Sequence, residues 1–384
     1  MNPVYDHIAA MVIIGLIFVG AVVVLPALNM RDLLSMEQLR LRNTAINVLN
    51  SILLDAGYPN DWGLRVNGTF YFEADAVKRF GLASQATSNF YVLDADKVQR
   101  LNVNNPLGFI SYNDARKLLN LKGYGFRLRI MPPFNVTNVD GTRIDEAHTP
   151  LTFLSSTTLN CAFKVSFLEG TPIPNAVVEG YIFYSKDKSF EISPIGPSYT
   201  DALGIFSKQI TLNLESPDYV IVILRVTVSD AAAVLVTMSR DASVYVADIN
   251  IVGDAVVLTK AKKPSNEDVK INQIFVYTSG GDLYSIYNGS NQDHFNTGSG
   301  QHALWSRTFD GLRQLNPLAL IFDFWATENG RREIIVAGPY KNLLNYGVSS
   351  YGCSFSGNGG VVKLERAVVI AGAIYTFEFC IWRE

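Results

Sequence analysis

Apolar positions fall into two patterns at the start of the chain. Residues 8–30, IAAMVIIGLIFVGAVVVLPALNM, contain no charged side chain. At about 1.5 Å per helical residue they reach roughly 34 Å, more than the ~30 Å hydrocarbon core of a bilayer. The pattern predicts a transmembrane helix, with Ile8, Ile13, Leu16, Phe18, Val23, Pro26 and Leu28 as its anchor residues. Gly15, Gly20 and Pro26 weaken a water-exposed helix but are common in membrane helices, and Pro26 predicts a kink. A buried core helix and a cleaved signal peptide are the competing readings. A core helix seldom runs this long without a polar face, and the preceding MNPVYDH has no Lys or Arg to form a basic n-region. From residue 31 the pattern turns amphipathic. Leu39, Ile46 and Leu53 recur every seven residues, Ala45, Leu49 and Ile52 share their face, and Arg40, Asn43, Asn47 and Asn50 lie elsewhere. Gly57 then offers a helix cap and Pro59 forbids continuation. Leu39, Ile46, Leu49 and Leu53 are therefore expected to pack on the chain's own first domain or on the same helix of sister copies.

The periodicity changes after the helix. Asn67-Gly68-Thr69 reads as a turn into a strand at Phe70 to Phe72. Short helices are predicted at Ala74 to Phe80 and at Tyr112 to Leu121, the latter capped by Ser111. Phe126, Leu128 and Ile130 alternate with Arg127 and Arg129, as in a half-buried strand. Residues 136–150 are polar and predict a linker. Cys161, Phe163, Val165 and Phe167 then alternate with polar neighbours, and Val220 to Val228 is nearly all apolar, fitting a central strand. Strands about ten residues apart, separated by Gly, Pro and Asn turns, argue for a β-sandwich. Lys260 to Asp268 is a charged boundary, and Tyr375, Phe377, Phe379 and Ile381 alternate in a further β region.

Composition narrows the function classes. At 384 residues the chain exceeds what one core usually serves. A net charge of −3 gives no basic field for nucleic acid. Three cysteines are too few for a disulfide scaffold; Cys353 and Cys380 pair within the last domain, or all three are buried free thiols. His7, His148, His294 and His302 make no metal-binding spacing, and the best metal candidate is the loop Asn288 to His302, with Asp293, His294 and His302. Ser299, His294 and Asp310 form a triad only by assembly, since no Gly-x-Ser-x-Gly elbow frames a nucleophile. The sequence thus calls for no cofactor, no metal and no enzyme. Sidedness signals conflict. Arg31, Arg40 and Arg42 follow the apolar run and favour a cytoplasmic body. The sequons at Asn67, Asn135 and Asn288 are candidate glycosylation sites and favour an exported one.

Two resemblances add to this reading. Leu53-Leu54-Asp55-Ala56-Gly57-Tyr58-Pro59-Asn60-Asp61-Trp62-Gly63, then Phe80-Gly81-Leu82-Ala83, Tyr91-Val92-Leu93-Asp94 and Lys97-Val98, resembles archaeal membrane-anchored, type IV pilin-like surface proteins over about residues 1–135. The basic residue and Gly that precede the apolar run in those prepilins are not found here. Gly170-Thr171-Pro172-Ile173-Pro174-Asn175-Ala176-Val177-Val178, with Thr200-Asp201 and Gly204-Ile205-Phe206, resembles immunoglobulin-like repeats of the carboxypeptidase-regulatory type over about 151–262. Those residues are structural in that family, so the resemblance implies a spacer or binding module.

The expected fold class is therefore mainly β with a long N-terminal transmembrane/amphipathic helix. Residues 1–57 form the helix, 58–135 a small α+β head, 151–262 an immunoglobulin-like sandwich and 265–384 a C-terminal β domain. The expected protein is a single-pass cell-surface structural or adhesive protein with its body outside. The alternatives are a pilin-like filament subunit assembled through the helix, and a membrane-bound enzyme or ligand sensor with a site in the last domain. The expected partners are the lipid bilayer, sister subunits, and surface glycans or other surface proteins, with no nucleic acid.

Overall fold

The computed structural model describes residues 3–68, 70–84, 91–142, 144, 149–186, 189–238, 247–260, 268–289, 293–296, 304–326, 331–337, 349–355 and 360–384. One helix, α1 (Pro3–Leu54), leads into β1 (Val92–Leu93), α2 (Ala95–Gln99), α3 (Tyr112–Leu118) and β2 (Tyr124–Met131). Next come β3 (Asn135–Thr137), β4 (Leu151–Phe153), β5 (Thr158–Ser166), β6 (Val177–Lys186), β7 (Ser189–Tyr199), β8 (Ile205–Thr211), β9 (Tyr219–Val228) and β10 (Ala231–Met238). They are followed by β11 (Ala247–Val252), β12 (Ala255–Lys260), β13 (Asp268–Thr278), β14 (Leu283–Asn288), β15 (His294–Asn296), β16 (Leu304–Thr308), β17 (Pro317–Ala326) and β18 (Arg331–Ala337). The chain closes with β19 (Ser349–Gly352), β20 (Val361–Ile370) and β21 (Ala373–Arg383).

The fold is mainly β, and α1 continues without a break through Pro26. Its transmembrane role, and with it the single-pass membrane location, is corrected: among the described residues no helix is long and apolar enough to cross a membrane. The exposed apolar stretch whose side chains are described spans residues 10–20. Ile13, Leu16 and Phe18 are exposed within it. The side chains of Ile8, Val23, Pro26 and Leu28 lie outside the described residues.

The lower end of α1 is docked. Ala45, Val48, Leu49, Ile52 and Leu53 are buried in one core with Phe80, Leu82, Val98, Phe126, Leu128, Phe377 and Phe379. Ile46 is half-buried, whereas Leu39 is 59% exposed. The seven-residue stripe is therefore covered at its lower end by the chain's own body.

Three arrangements differ from the chain-order domains. First, Val136 and Thr137, expected in a linker, belong to β3, which pairs with β5 (Val136 opposite Val165). Secondly, β19 to β21 complete the head rather than a separate last domain. The head sheet runs β1-β20-β21-β2-β19. Phe126, Leu128 and Ile130 of β2 lie opposite Ile381, Phe379 and Phe377 of β21. Both strands carry one apolar face, and each satisfies the other while jointly covering α1. Thirdly, the middle of the chain is a stack of sheets. β3 and β4 on β5 with β8 face the sheet β10-β9-β6-β7. The far side of that sheet meets β14-β13-β17-β18, with Phe183 and Phe275 ring centroids 6.2 Å apart and Tyr181 and Tyr277 6.0 Å apart. The far side of the latter packs on β11-β12-β16 through Ile274, Phe322, Ile251 and Leu258. β9 is nearly all apolar because it is buried on both faces, Val222 and Leu224 towards one layer, Ile221 and Ile223 towards the other.

Leu49→Ala or Ile52→Ala is expected to lower the unfolding free energy by about 2–5 kcal/mol. Leu39→Ala is expected to cost less than about 0.5 kcal/mol. Urea titration of the three variants checks this; equal losses at all three positions would contradict docking by the lower helix face alone.

Candidate interaction surfaces

The residues that carry the pilin-like resemblance converge on one joint between α1 and the body. Ile52 O accepts from Leu82 N at 2.8 Å, and Asp55 O accepts from Ala83 N at 3.1 Å. Trp62 is fully buried, and its Nε1 donates to Gly81 O at 2.8 Å. A Cβ on Gly81 would sit 2.2 Å from Asp55 O, so only glycine permits this approach. Asp94 caps α2 through Asp96 N and Lys97 N. Lys97 is fully buried, and its Nζ donates to Ala56 O and Ala83 O, both at 2.8 Å. Burial lowers the Lys97 pKa, with Asp94, Asp55 and Asp61 opposing that shift. Arg100 repeats the device one turn later. Its guanidinium donates to the carbonyls of Gly63, Leu107 and Gly108 and lies 4.9 Å over the Phe72 ring. Burial brings it down to about 10, so it stays charged at neutral pH. Asp96 then links the head to the stacked sheets. It accepts from Gly253 N at 3.3 Å and pairs with Arg313, while Gln99 Nε2 donates to Ile251 O at 2.8 Å.

A second polar cluster lies on the face of the head sheet turned away from α1. Glu378 of β21 is nearly buried beneath the cations of its neighbours. Lys363 of β20 reaches it at 2.9 Å, Arg129 of β2 at 3.4 Å and Arg127 at 3.6 Å. Burial alone would raise its carboxyl, but the Lys363 hydrogen bond, together with the charges of Arg129 and Arg127, holds it below the ordinary value of 4.5. Lys363 also bonds Glu365 at 2.7 Å, and these two hydrogen bonds push its own pKa up.

Among the described residues two groups of exposed apolar side chains stand out. Met11, Val12, Ile13, Ile14, Leu16, Ile17, Phe18 and Val19 of α1 are each 56–77% exposed, so the helix is bare around its circumference there. At one end of the β3–β10 sandwich, Phe167, Leu168, Tyr199 and Leu203 are exposed on adjoining turns. Those turns are fixed by hydrogen bonds. Val165 N donates to Gly204 O, Phe167 N to Thr171 O, and the Asp201 carboxylate accepts from Leu203 N and Ile205 N.

The other expected sites are dispersed. Asn67 and Asn288 are exposed and Asn135 is half-buried in β3; Thr69 and Ser290 of the outer sequons lie outside the described residues. Cys353 and Cys380 are not paired: both are free, as is Cys161. Cys353 Sγ lies 3.2 Å from Tyr112 Oη, while Cys380 sits beside Glu378. Among the described residues no group of three His, Cys, Asp or Glu converges. Asp293 is ion-paired to Arg307 at 2.6 Å, Asp310 is exposed and Asp323 is buried within β17. Ser299, His148 and His302, and the side chains of His7 and His294, lie outside the described residues. Lys97, Arg100 and Glu378 were not anticipated as buried charges. For Glu378 the signal is a lone carboxylate in an otherwise apolar strand; Lys97 and Arg100 lie in the polar stretch Asp94 to Arg100 and carry no such signal.

No protein-family model matches the chain, and no curated protein matches it. Among solved structures it is similar to invasin, a bacterial integrin-binding protein, at 12% identity over 64% of this chain and 54% of that one, with a TM-score of 0.16. It is also similar to human GIVD cytosolic phospholipase A2 in complex with methyl gamma-linolenyl fluorophosphonate, at 7% identity over 68% of this chain and 32% of that one, with a TM-score of 0.10. The chain thus spans about half the length of invasin. Likenesses at these TM-scores bear on neither fold nor function.

Because the Glu378 carboxyl is held low in the folded state, its stabilising contribution is complete above its ordinary value of 4.5 and is lost as pH falls through the lower folded value. Melting temperatures measured between about pH 5 and about pH 3 are expected to fall more steeply for the native chain than for Glu378→Gln. Parallel curves would remove Glu378 as a net contributor.

Proposed function

We propose that this chain is a structural or adhesive subunit that associates with sister copies through the bare turns of α1 and carries the stacked β body as its presenting head. The observation that carries the reading is the contrast along one helix. Its lower end is locked into the body, while Met11 to Val19 is apolar and exposed on every side. Burying one such Ile, Leu or Phe side chain is worth about 1.5–3 kcal/mol, so a helix bare over two turns is stabilised by self-association. The locked joint makes α1 a rigid extension, so copies that join through it hold their heads in fixed relation. The pilin-like resemblance of residues 1–135 supports the same role. The rigid turns bearing Phe167, Leu168, Tyr199 and Leu203 provide a preformed contact surface of the kind that binds another macromolecule with little ordering cost.

Light scattering on the full chain is the test. The native chain is expected to form oligomers, and Ile13→Ser with Ile17→Ser is expected to weaken association at least about tenfold, since two buried aliphatic side chains are worth more than the ~1.4 kcal/mol of one decade. At dilutions where both chains are monomeric the melting temperature is expected to be the same, because neither residue packs on the body. A native chain that is monomeric at high concentration, or oligomers unaffected by both substitutions, would end the proposal.

A further inference from the structure

The head sheet has an open side at β20. That strand pairs with β21 along its whole length, Val361 opposite Trp382 through Ile370 opposite Ala373, with no register shift. Among the described residues, its other side is paired only at Val369 and Ile370, with the two residues of β1. The edge over residues 361–367 therefore presents alternate backbone N–H and C=O groups that β21 does not use, of which Glu365 O accepts from Arg366 Nη1 at 2.8 Å. It carries no proline and no bulge, and its guard is charge alone, Lys363, Glu365 and Arg366. Val361, Lys363, Glu365, Arg366 and Ala367 are exposed, and Val362 and Leu364 are half-buried.

The order of residues along this edge is self-complementary. In a sheet continued by a second, antiparallel copy of β20, residues that face each other must lie on the same side of the sheet. The registers open to a symmetric pair are therefore those centred on a single residue. Centred on Leu364, Lys363 faces Glu365 of the second copy and Glu365 faces its Lys363. Leu364 meets Leu364, and Val361 meets Ala367. Moving the centre one residue back sets Lys363 against Lys363, and one residue forward sets Glu365 against Glu365. Charge thus selects one register and penalises both neighbours. Within the single chain Glu365 lies directly opposite Glu378, with Lys363 shared between the two carboxylates. A second copy would supply a further Lys to each Glu365.

We propose that β20 is a self-association edge, at which a second copy of this chain adds its own β20 antiparallel in the register centred on Leu364, joining two head sheets into one. The contact differs from the helix contact proposed above and does not depend on it. The test uses full-length chains carrying Val361→Cys or Ala367→Cys, both at exposed positions. Residue 361 of one copy faces residue 367 of the other, whereas like positions lie roughly 20 Å apart at about 3.3 Å per residue. Under mild oxidation each variant alone is expected to remain largely uncrosslinked, and an equimolar mixture is expected to give disulfide-linked pairs, at least about tenfold above either alone. Adding Lys363→Glu to both chains is expected to lower that yield severalfold, and adding Glu365→Lys as well to restore it. A mixture that crosslinks no more than the separate variants overturns the proposal, even where light scattering shows association through α1. Crosslinking that is indifferent to the charge changes overturns the register. A loss on Lys363→Glu that Glu365→Lys does not reverse assigns the loss to the Glu378 cluster and likewise overturns the charge-selected pairing.

Discussion

Everything above residue 55 hangs on the way the end of α1 is held. A 52-residue helix is about 78 Å long, and a lever of that length stays aligned only if its root is fixed in more than one direction. Two kinds of contact do this. Leu49, Ile52 and Leu53 fill the core beneath β2 and β21, which sets the distance of the helix from the sheet. Lys97 bonds Ala56 O and Ala83 O just beyond the helix, which fixes where the chain leaves it. The ammonium is costly to bury, but two carbonyls receive it and Asp94 lies close by, so removing it would strand two acceptors as well as a packed side chain. The close approach of Gly81 to Asp55 O follows from the same joint.

The second constraint is layering. β9 and β17 each bury residues on both faces, and this is why their sequences are long apolar runs rather than alternating ones. A sheet used on two sides binds its neighbours as firmly as its own partner sheet. The sandwich and the sheets after it therefore behave as one stack, and Phe183, Phe190 and Phe275 are the side chains that close the seam between them.

Much of this was legible residue by residue and little of it pair by pair. The alternation at Phe126 to Ile130 and at Phe377 to Ile381 identifies two half-buried strands. Nothing in either stretch says that they pair with each other across some 250 residues, and so the last hairpin read as part of a separate domain. The apolar run at Val220 marks a central strand, but not which sheet lies on its second face. The stripe Leu39, Ile46, Leu53 was visible as a stripe. Only the tertiary structure shows that full burial of the stripe begins at Ala45 and that Leu39 is left bare. Buried ionic residues such as Lys97 and Glu378 stay hidden because their types are the ones most often found on surfaces.

The helix and the open edge of the head sheet are mechanically one object. α1 rests on β20 and β21, and Glu37 reaches Arg383 at the end of β21 at 3.0 Å, so the hairpin is the bed on which the helix lies. A strand pair hydrogen-bonded over its full length shifts as a unit, because sliding by one residue would turn every side chain to the wrong face. Force applied along α1 is therefore delivered to β21 and, through its ladder, to β20. The same ladder keeps the outer side of β20 straight and evenly spaced, with Lys363 held by Glu378 and Glu365 in turn held by Lys363. An edge that is rigid, and whose charges match those of a second copy, costs little ordering to extend, so the feature that anchors the helix inside one chain also prepares that chain to be continued by another.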